Sequence, residues 1–161
     1  MTSSEPGRER PLPHDPDLEA DEGPGGEPRP VHLTPFFIGL VAIGGTLGSL
    51  SRYGVEQLLG APDGWPVGTF TVNIVGAFAL GVLLEWLAVR GSDRSHRRAD
   101  RLLVGTGFIG GFTTYSALAL ETDGLLRDGR AGVAVTYALA TVVVGLLATL
   151  AGVVAARAAA R

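Results

Sequence analysis

Four stretches free of Lys, Arg, Asp and Glu divide the chain: residues 30–51, 64–84, 102–120 and 131–156. Each is close to the roughly 20 residues that an α-helix needs to cross an approximately 30 Å hydrocarbon core at about 1.5 Å per residue. A core helix of a water-soluble protein would carry a polar stripe every three to four positions. Residues 131–156 carry none, their only polar side chains being Thr136, Tyr137, Thr141 and Thr149. The pattern predicts an all-α membrane protein with four transmembrane helices at about 35–59, 66–89, 101–121 and 130–156. Residues 1–30 are rich in Pro, Gly, Glu and Asp and have no apolar period. Such a segment cannot bury enough surface to offset its ordering entropy, so residues 1–32 are expected to form a disordered acidic tail before a membrane domain over 33–161. The tail does not read as a signal peptide, because its start is acidic and the first apolar run begins near Phe36.

Charge sharpens this division. Residues 1–30 hold eight acids against three Arg, a net −5, whereas residues 31–161 hold ten Arg against eight acids, a net +2. The overall −3 describes neither part. With four helices, both termini and the second loop lie on one side. That side has Arg90, Arg94, Arg97, Arg98, Arg101, Arg157 and Arg161, while the other has Arg127 and Arg130. The excess of basic residues places both termini in the cytoplasm of a multi-pass plasma-membrane protein. The chain has no Cys, which excludes disulfides, thiolate metal sites and Cys nucleophiles. No basic stripe is interleaved with aromatics, so nucleic acid is not expected as a partner.

Small residues recur at four-residue spacing as Gly44/Gly48, Ala77/Gly81 and Gly107/Gly111. In lipid, such pairs let helix backbones approach closely, and packing is the main reading for the first two. The third helix is unusual: residues 105–114 contain four Gly and three Thr. Gly costs about 1 kcal/mol per helical position relative to Ala. A helix weakened in this way is expected to break mid-membrane around 110–114, where freed carbonyls would attract a cation. The same stretch fits G-x-G-x-x-G, but a dinucleotide site requires a preceding strand and an amphipathic helix, and residues 111–120 carry no charge. Asn73 lies in the second apolar stretch, where an amide must be hydrogen-bonded: it either ties two helices together or faces a polar path. Arg52 and Glu56 are spaced to form an i,i+4 pair near the membrane interface. Glu85 and Trp86 read as interface anchors, and Glu121 falls in the third link. No Ser–His–Asp arrangement or paired carboxylates stand out, so no enzyme is expected.

Three blocks carry a resemblance to a known family. They are Gly44-Gly45-Thr46-Leu47-Gly48 with Ser51-Arg52-Tyr53, Gly68-Thr69 with Asn73 and Gly76, and Gly110-Gly111-Phe112-Thr113-Thr114-Tyr115-Ser116. In this order, each within its own helix, they resemble the CrcB/Fluc family of fluoride channels. The resemblance covers everything except the tail. It implies a passive, fluoride-specific channel that lowers cytoplasmic fluoride, built as a dimer of antiparallel four-helix subunits whose broken third helices cross. It implies a structural, non-transported sodium ion held by backbone carbonyls, here those of Gly110 and Thr113. It also implies a fluoride pathway, with Asn73 as an amide donor, Thr114 and Ser116 as further donors, Tyr137 and Thr141 as the polar track of the fourth helix, and Arg52 near a vestibule.

The chain departs from the family pattern at one point. The family places two Phe on the third helix, three residues apart, whose ring edges face the anion. Here those positions are Tyr115 and Leu118, and Leu118 offers no ring. The seven-to-two Arg bias points the same way. It is expected of a subunit that inserts in one orientation and pairs with an oppositely oriented paralogue, with a homodimer as the alternative. A small proton-coupled multidrug exporter of similar helix count is the competing function. It needs an acid deep in the membrane, and the first helix has none before Glu56. A non-transporting membrane scaffold is a third possibility, favoured if Asn73 and the break serve packing alone.

Overall fold

The computed structural model of the chain describes residues 20–22, 28–30, 34–89 and 95–161. Two three-residue strands, β1 (Ala20–Glu22) and β2 (Pro28–Pro30), pair antiparallel, with Ala20 opposite Pro30 and Glu22 opposite Pro28. These six residues lie within the acidic tail expected over residues 1–32. A lone pair of strands is marginal in water, and Pro at both ends of β2 removes two ladder donors. The rest of the tail lies outside the described residues.

The long helices are α1 (Pro35–Leu59), α2 (Val67–Val89) and α6 (Ala131–Ala159). Thr34 precedes α1 and Pro35 opens it, where the missing N–H has no helical partner in any case. The third crossing has several parts: α3 (Ser95–Asp100), a π-helical segment Arg101–Ile109, α4 (Gly110–Phe112) and α5 (Tyr115–Arg127). Among the described residues, four helices are thus long and apolar enough to cross a membrane. The third reaches beyond the expected 101–121 at both ends. Its flanking charges lie on helix rather than in links, and Arg127 donates to Asp123 one turn back at 2.8 Å.

Packing relies on missing side chains. A Cβ on Gly44 would strike the Leu103 carbonyl, and one on Gly48 the Phe108 carbonyl. On the facing helix, a Cβ on Gly107 would lie 3.0 Å from Gly44 Cα, and one on Gly111 would strike the Gly45 carbonyl. The first and third small-residue pairs therefore interlock with each other. Gly81 meets the Thr149 carbonyl, while Gly152 of α6 meets that of Phe78. Close backbone approach replaces the hydrophobic driving force that lipid cannot provide between helices. Few side chains are buried among the described residues; Leu118, Leu125, Ala134 and Tyr137 form a small cluster, with Trp65, Phe70 and Val133 against it. Large apolar residues face outward instead, as on α6 at Val142, Leu146, Leu150 and Val154. This is the inverse of a water-soluble pattern and suits a lipid surround.

The G-x-G-x-x-G stretch lies within the π segment and the start of α4, with no strand before it and no parallel sheet among the described residues.

Candidate functional site

The third crossing breaks at two residues. Thr113 (φ −79°, ψ 157°) and Thr114 (φ −150°, ψ 123°) are extended between α4 and α5. The expected unwinding over 110–114 is narrower than predicted, because Gly110 stays helical at φ −62°, ψ −36°. Upstream of it, residues 101–109, which include Gly105 and Gly107, adopt a π register, a form often found at functional sites.

Asn73 of α2 holds the break. Its Nδ2 donates to the Thr114 carbonyl at 3.0 Å, and the Thr114 N–H donates to its Oδ1 at 2.8 Å. In a continuous α-helix the Thr114 N–H would close on the Gly110 carbonyl four residues back. Asn73 captures that donor, so the Gly110 carbonyl leaves the helical ladder. The Ala117 N–H is likewise taken by Thr114 Oγ1 at 3.1 Å, capping α5, with Ser116 Oγ 3.1 Å from the same hydroxyl. Gly76, on the same face of α2 as Asn73, leaves room for the Thr113 methyl.

A second hold comes from α1. Ser49 Oγ and Arg52 Nε donate to the Gly111 carbonyl at 3.3 and 3.4 Å. Arg52 therefore reaches the backbone of the break, and its head also pairs with Glu56 at 3.6 Å, the expected i,i+4 contact. Both clamps bind main-chain atoms, so they act through shape rather than through the identity of the residues they hold.

Toward the end of the bundle that carries residues 60–66, a polar cluster lies between α2, α5 and α6. Thr69 Oγ1 donates to Glu121 Oε1 at 2.7 Å, and the Tyr137 hydroxyl donates to Glu121 Oε2 at 2.6 Å. Thr69 is 2% exposed and Tyr137 fully buried. Thr141, one turn along α6, donates to the Tyr137 carbonyl at 2.8 Å and is buried. Thr69 and Asn73 are one turn apart on α2, so the cluster and the break form one polar row.

The expected site residues divide accordingly. Asn73, Thr114 and Ser116 meet at the break, with Arg52 behind it; Tyr137 and Thr141 line the row, and Leu118 (9% exposed) packs in the cluster around Tyr137. Tyr115 stands apart: it is 82% exposed and turns its ring away from its own chain. Glu121 and Thr69 were missed. The charge pattern puts Glu121 in a link, but α5 continues to Arg127 and leaves it half-buried in the bundle, with its carboxylate on the Thr69 and Tyr137 hydroxyls.

The Gly110 carbonyl freed by Asn73 and the non-helical Thr113 carbonyl are hard oxygen donors, which fits a small hard cation. Among the described residues no group of three His, Asp or Glu could hold a metal, so a cation here would rest on backbone oxygen.

A family model described as CrcB-like protein, Camphor Resistance (CrcB), matches residues 39–153. A protein named "Fluoride-specific ion channel FluC 2" from Leifsonia xyli subsp. xyli is 47% identical over 124 residues, 77% of this chain and 86% of that protein. "Fluoride-specific ion channel FluC" of Caulobacter vibrioides is 45% identical over 120 residues, covering 73% and 93% of the two chains. Its namesake from Gloeobacter violaceus is 46% identical over 123 residues, covering 74% and 94%.

Proposed function

Because the chain belongs to the CrcB family, we propose that it is a subunit of a fluoride-specific ion channel that releases fluoride passively and so lowers its cytoplasmic concentration. It is a multi-pass membrane protein. The observation that carries the reading is its identity with fluoride channels over the helices that build the polar row. The geometry is in keeping with it. Fluoride is small and tightly hydrated, so a path must replace its water with donors. Asn73 Nδ2 has a second hydrogen beyond the one given to Thr114, and the Thr114 and Ser116 hydroxyls lie beside it, whereas the Thr69 and Tyr137 hydroxyls farther along the row give their hydrogens to Glu121.

The break is read as lying mid-membrane, in an antiparallel dimer. The exposure of Tyr115 supports this: its ring cannot line a path within its own chain, but it is open to a partner across the break. A sodium ion would be held by the Gly110 and Thr113 carbonyls, two from each subunit, with Asn73 keeping the Gly110 oxygen available. When bound, the ion would supply fixed positive charge beside an anion path. Asn73 and Thr114 hold the backbone in place around it, and the path itself runs over this chain's hydroxyl and amide groups.

Both termini are read as cytoplasmic, and the arginine bias as favouring one orientation and a paralogue partner over a homodimer. A reporter fused to the C-terminus tests this: substantial signal from both sides of the membrane would sink fixed orientation. The exporter reading regains an acid, since Glu121 lies inside the bundle, but both its oxygens are engaged by hydroxyls and the relatives are channels. The primary test is fluoride efflux from liposomes containing this protein alone, with Asn73→Asp as control. Selective passive efflux that the control loses is expected of a self-sufficient channel. No efflux from folded protein, alone or with an oppositely charged paralogue, would refute the reading.

A further inference from the structure

We infer that Trp65 controls access to the buried polar row and that Arg130 is its positioning residue. The inference rests on the channel reading only for which ion passes.

The donors of the row are sealed, and the residue at the seal is Trp65. Thr69 and Tyr137 are 2% and 0% exposed, although they lie within about one and two turns of the end of the bundle. Trp65 immediately precedes α2, one turn before Thr69. Its indole meets the Tyr137 ring edge-on, with centroids 5.7 Å apart and planes at 80°, and is braced from behind by Phe70 at 6.1 Å. Of the residues packed against this cluster, Trp65, Phe70 and Val133, the indole comes from the turn at this end of the bundle, where it covers the Tyr137 ring.

The chain invests unusual backbone in placing that ring. Gly60, Asp63 and Gly64 all have positive φ, at 59°, 52° and 71°. For Asp63 the left-handed region costs roughly 1 kcal/mol, which neighbouring contacts must offset. Within the turn, the Gly64 N–H donates to the Ala61 carbonyl at 3.0 Å and the Trp65 N–H to that of Pro62 at 2.9 Å. The remaining carbonyls of the turn point to Arg130. Its Nη2 donates to the Asp63 carbonyl at 3.0 Å and its Nη1 to the Gly64 carbonyl at 3.4 Å. Arg130 is itself fixed by the end of α5. The Arg130 N–H closes on the Leu125 carbonyl at 2.9 Å and the Gly129 N–H on Leu126 at 3.1 Å, with Gly129 left-handed at φ 74°. That is a Schellman closure, which sets the direction of the next residue. A planar guanidinium across two successive carbonyls holds them in one geometry, which Lys could not do. The α5–α6 hairpin thereby latches the α1–α2 turn and holds Trp65 against Tyr137.

The absence of Cys makes the test clean. Thr69→Cys gives a single thiol, and its rate of modification by a charged, water-soluble methanethiosulfonate is followed by mass in lipid nanodiscs, where both ends are reachable. In the parent, labelling is expected to be slow. Trp65→Ala is expected to speed it by roughly tenfold or more, the equivalent of about 1.4 kcal/mol of lost closure. Arg130→Gln, which touches only backbone oxygens, is expected to speed it as well, while Trp65→Phe, which keeps a ring, and Arg130→Lys separate closure from general loosening. Phe is expected to stay slow and Lys to be as fast as Gln. Equal rates in the parent, Trp65→Ala and Arg130→Gln would overturn the inference. So would a slow Arg130→Gln if Trp65→Ala does not fold. Fluoride efflux of the wild type is measured separately. Protection of the thiol without efflux would fail the channel reading alone, and efflux without protection would fail this one alone.

Discussion

Replacing Asn73 by Ala should close the break. The substitution removes the bond from Nδ2 to the Thr114 carbonyl and the one from the Thr114 N–H to Oδ1, at 3.0 and 2.8 Å. One buried backbone group left without its partner costs about 1–3 kcal/mol. The alternative state is specific: the Thr114 N–H returns to the Gly110 carbonyl and α4 runs on into α5. A shift of that size changes the ratio of held to closed conformers by about 5- to 150-fold. Fluoride efflux, read with an electrode at matched protein amounts, should fall at least about fivefold. Asn73→Asp should fall too, since it keeps an acceptor for Thr114 N–H but sets a carboxylate oxygen against the Thr114 carbonyl. Loss of a fluoride donor alone would also slow efflux, so a second readout is needed. If the amide acts as a clamp, the sodium-dependent gain in thermal stability should shrink with it, because the Gly110 oxygen is retaken. A folded Asn73→Ala protein with unchanged efflux and an unchanged sodium response would refute the reasoning.

Other substitutions probe the packing and the proposed path. Gly44→Ala should destabilise by at least about 1–3 kcal/mol, since its Cβ meets the Leu103 carbonyl; Gly39→Ala, with nothing within 4 Å, should be neutral or better, and thermal unfolding in detergent compares the two. Leu118→Phe should restore a ring beside Tyr137 and raise efflux, while overpacking the cluster of Leu118, Leu125, Ala134 and Tyr137 by about 1–3 kcal/mol; slower efflux from a folded variant would show that the ring is not what the row lacks. Exchanging sodium for choline should lower both thermal stability and efflux rate, and no change in either would remove the cation from the account.

Much of the fold is legible in the charge gaps. The ends of α1, α2 and α6 fall within about three residues of the helix bounds expected from the sequence, 35–59, 66–89 and 130–156, although α1 and α2 run five to eight residues past the ends of their charge-free stretches. The third crossing was harder to read, since Arg97, Arg98, Asp123 and Arg127 look like loop residues but sit on helix. Charged side chains at helix ends can extend toward water, so charge marks the membrane boundary and not the helix boundary. Glu121 departs from that rule, because its carboxylate turns inward to the Thr69 and Tyr137 hydroxyls. The glycines predict unwinding over 110–114, yet the break in regular helix falls on Thr113 and Thr114. Its cause is a competing partner 41 residues away in Asn73, and no local propensity reports a long-range hydrogen bond. The role of Trp65 was equally hidden, because it depends on Arg130 meeting a turn 66 and 67 residues earlier.

The two clamps on the break also have an order in time. Ser49 and Arg52 belong to α1 and Asn73 to α2, so the side chains that bond the main-chain atoms of residues 111 and 114 precede them in the chain. Chains emerge from the ribosome N-terminus first, at about 5–20 residues per second. The first hairpin is therefore already made when the third crossing is threaded, and it acts as a template on which an otherwise straight helix is bent. A circular permutant that begins at the third crossing would encode the same contacts but be synthesised with its mould still missing.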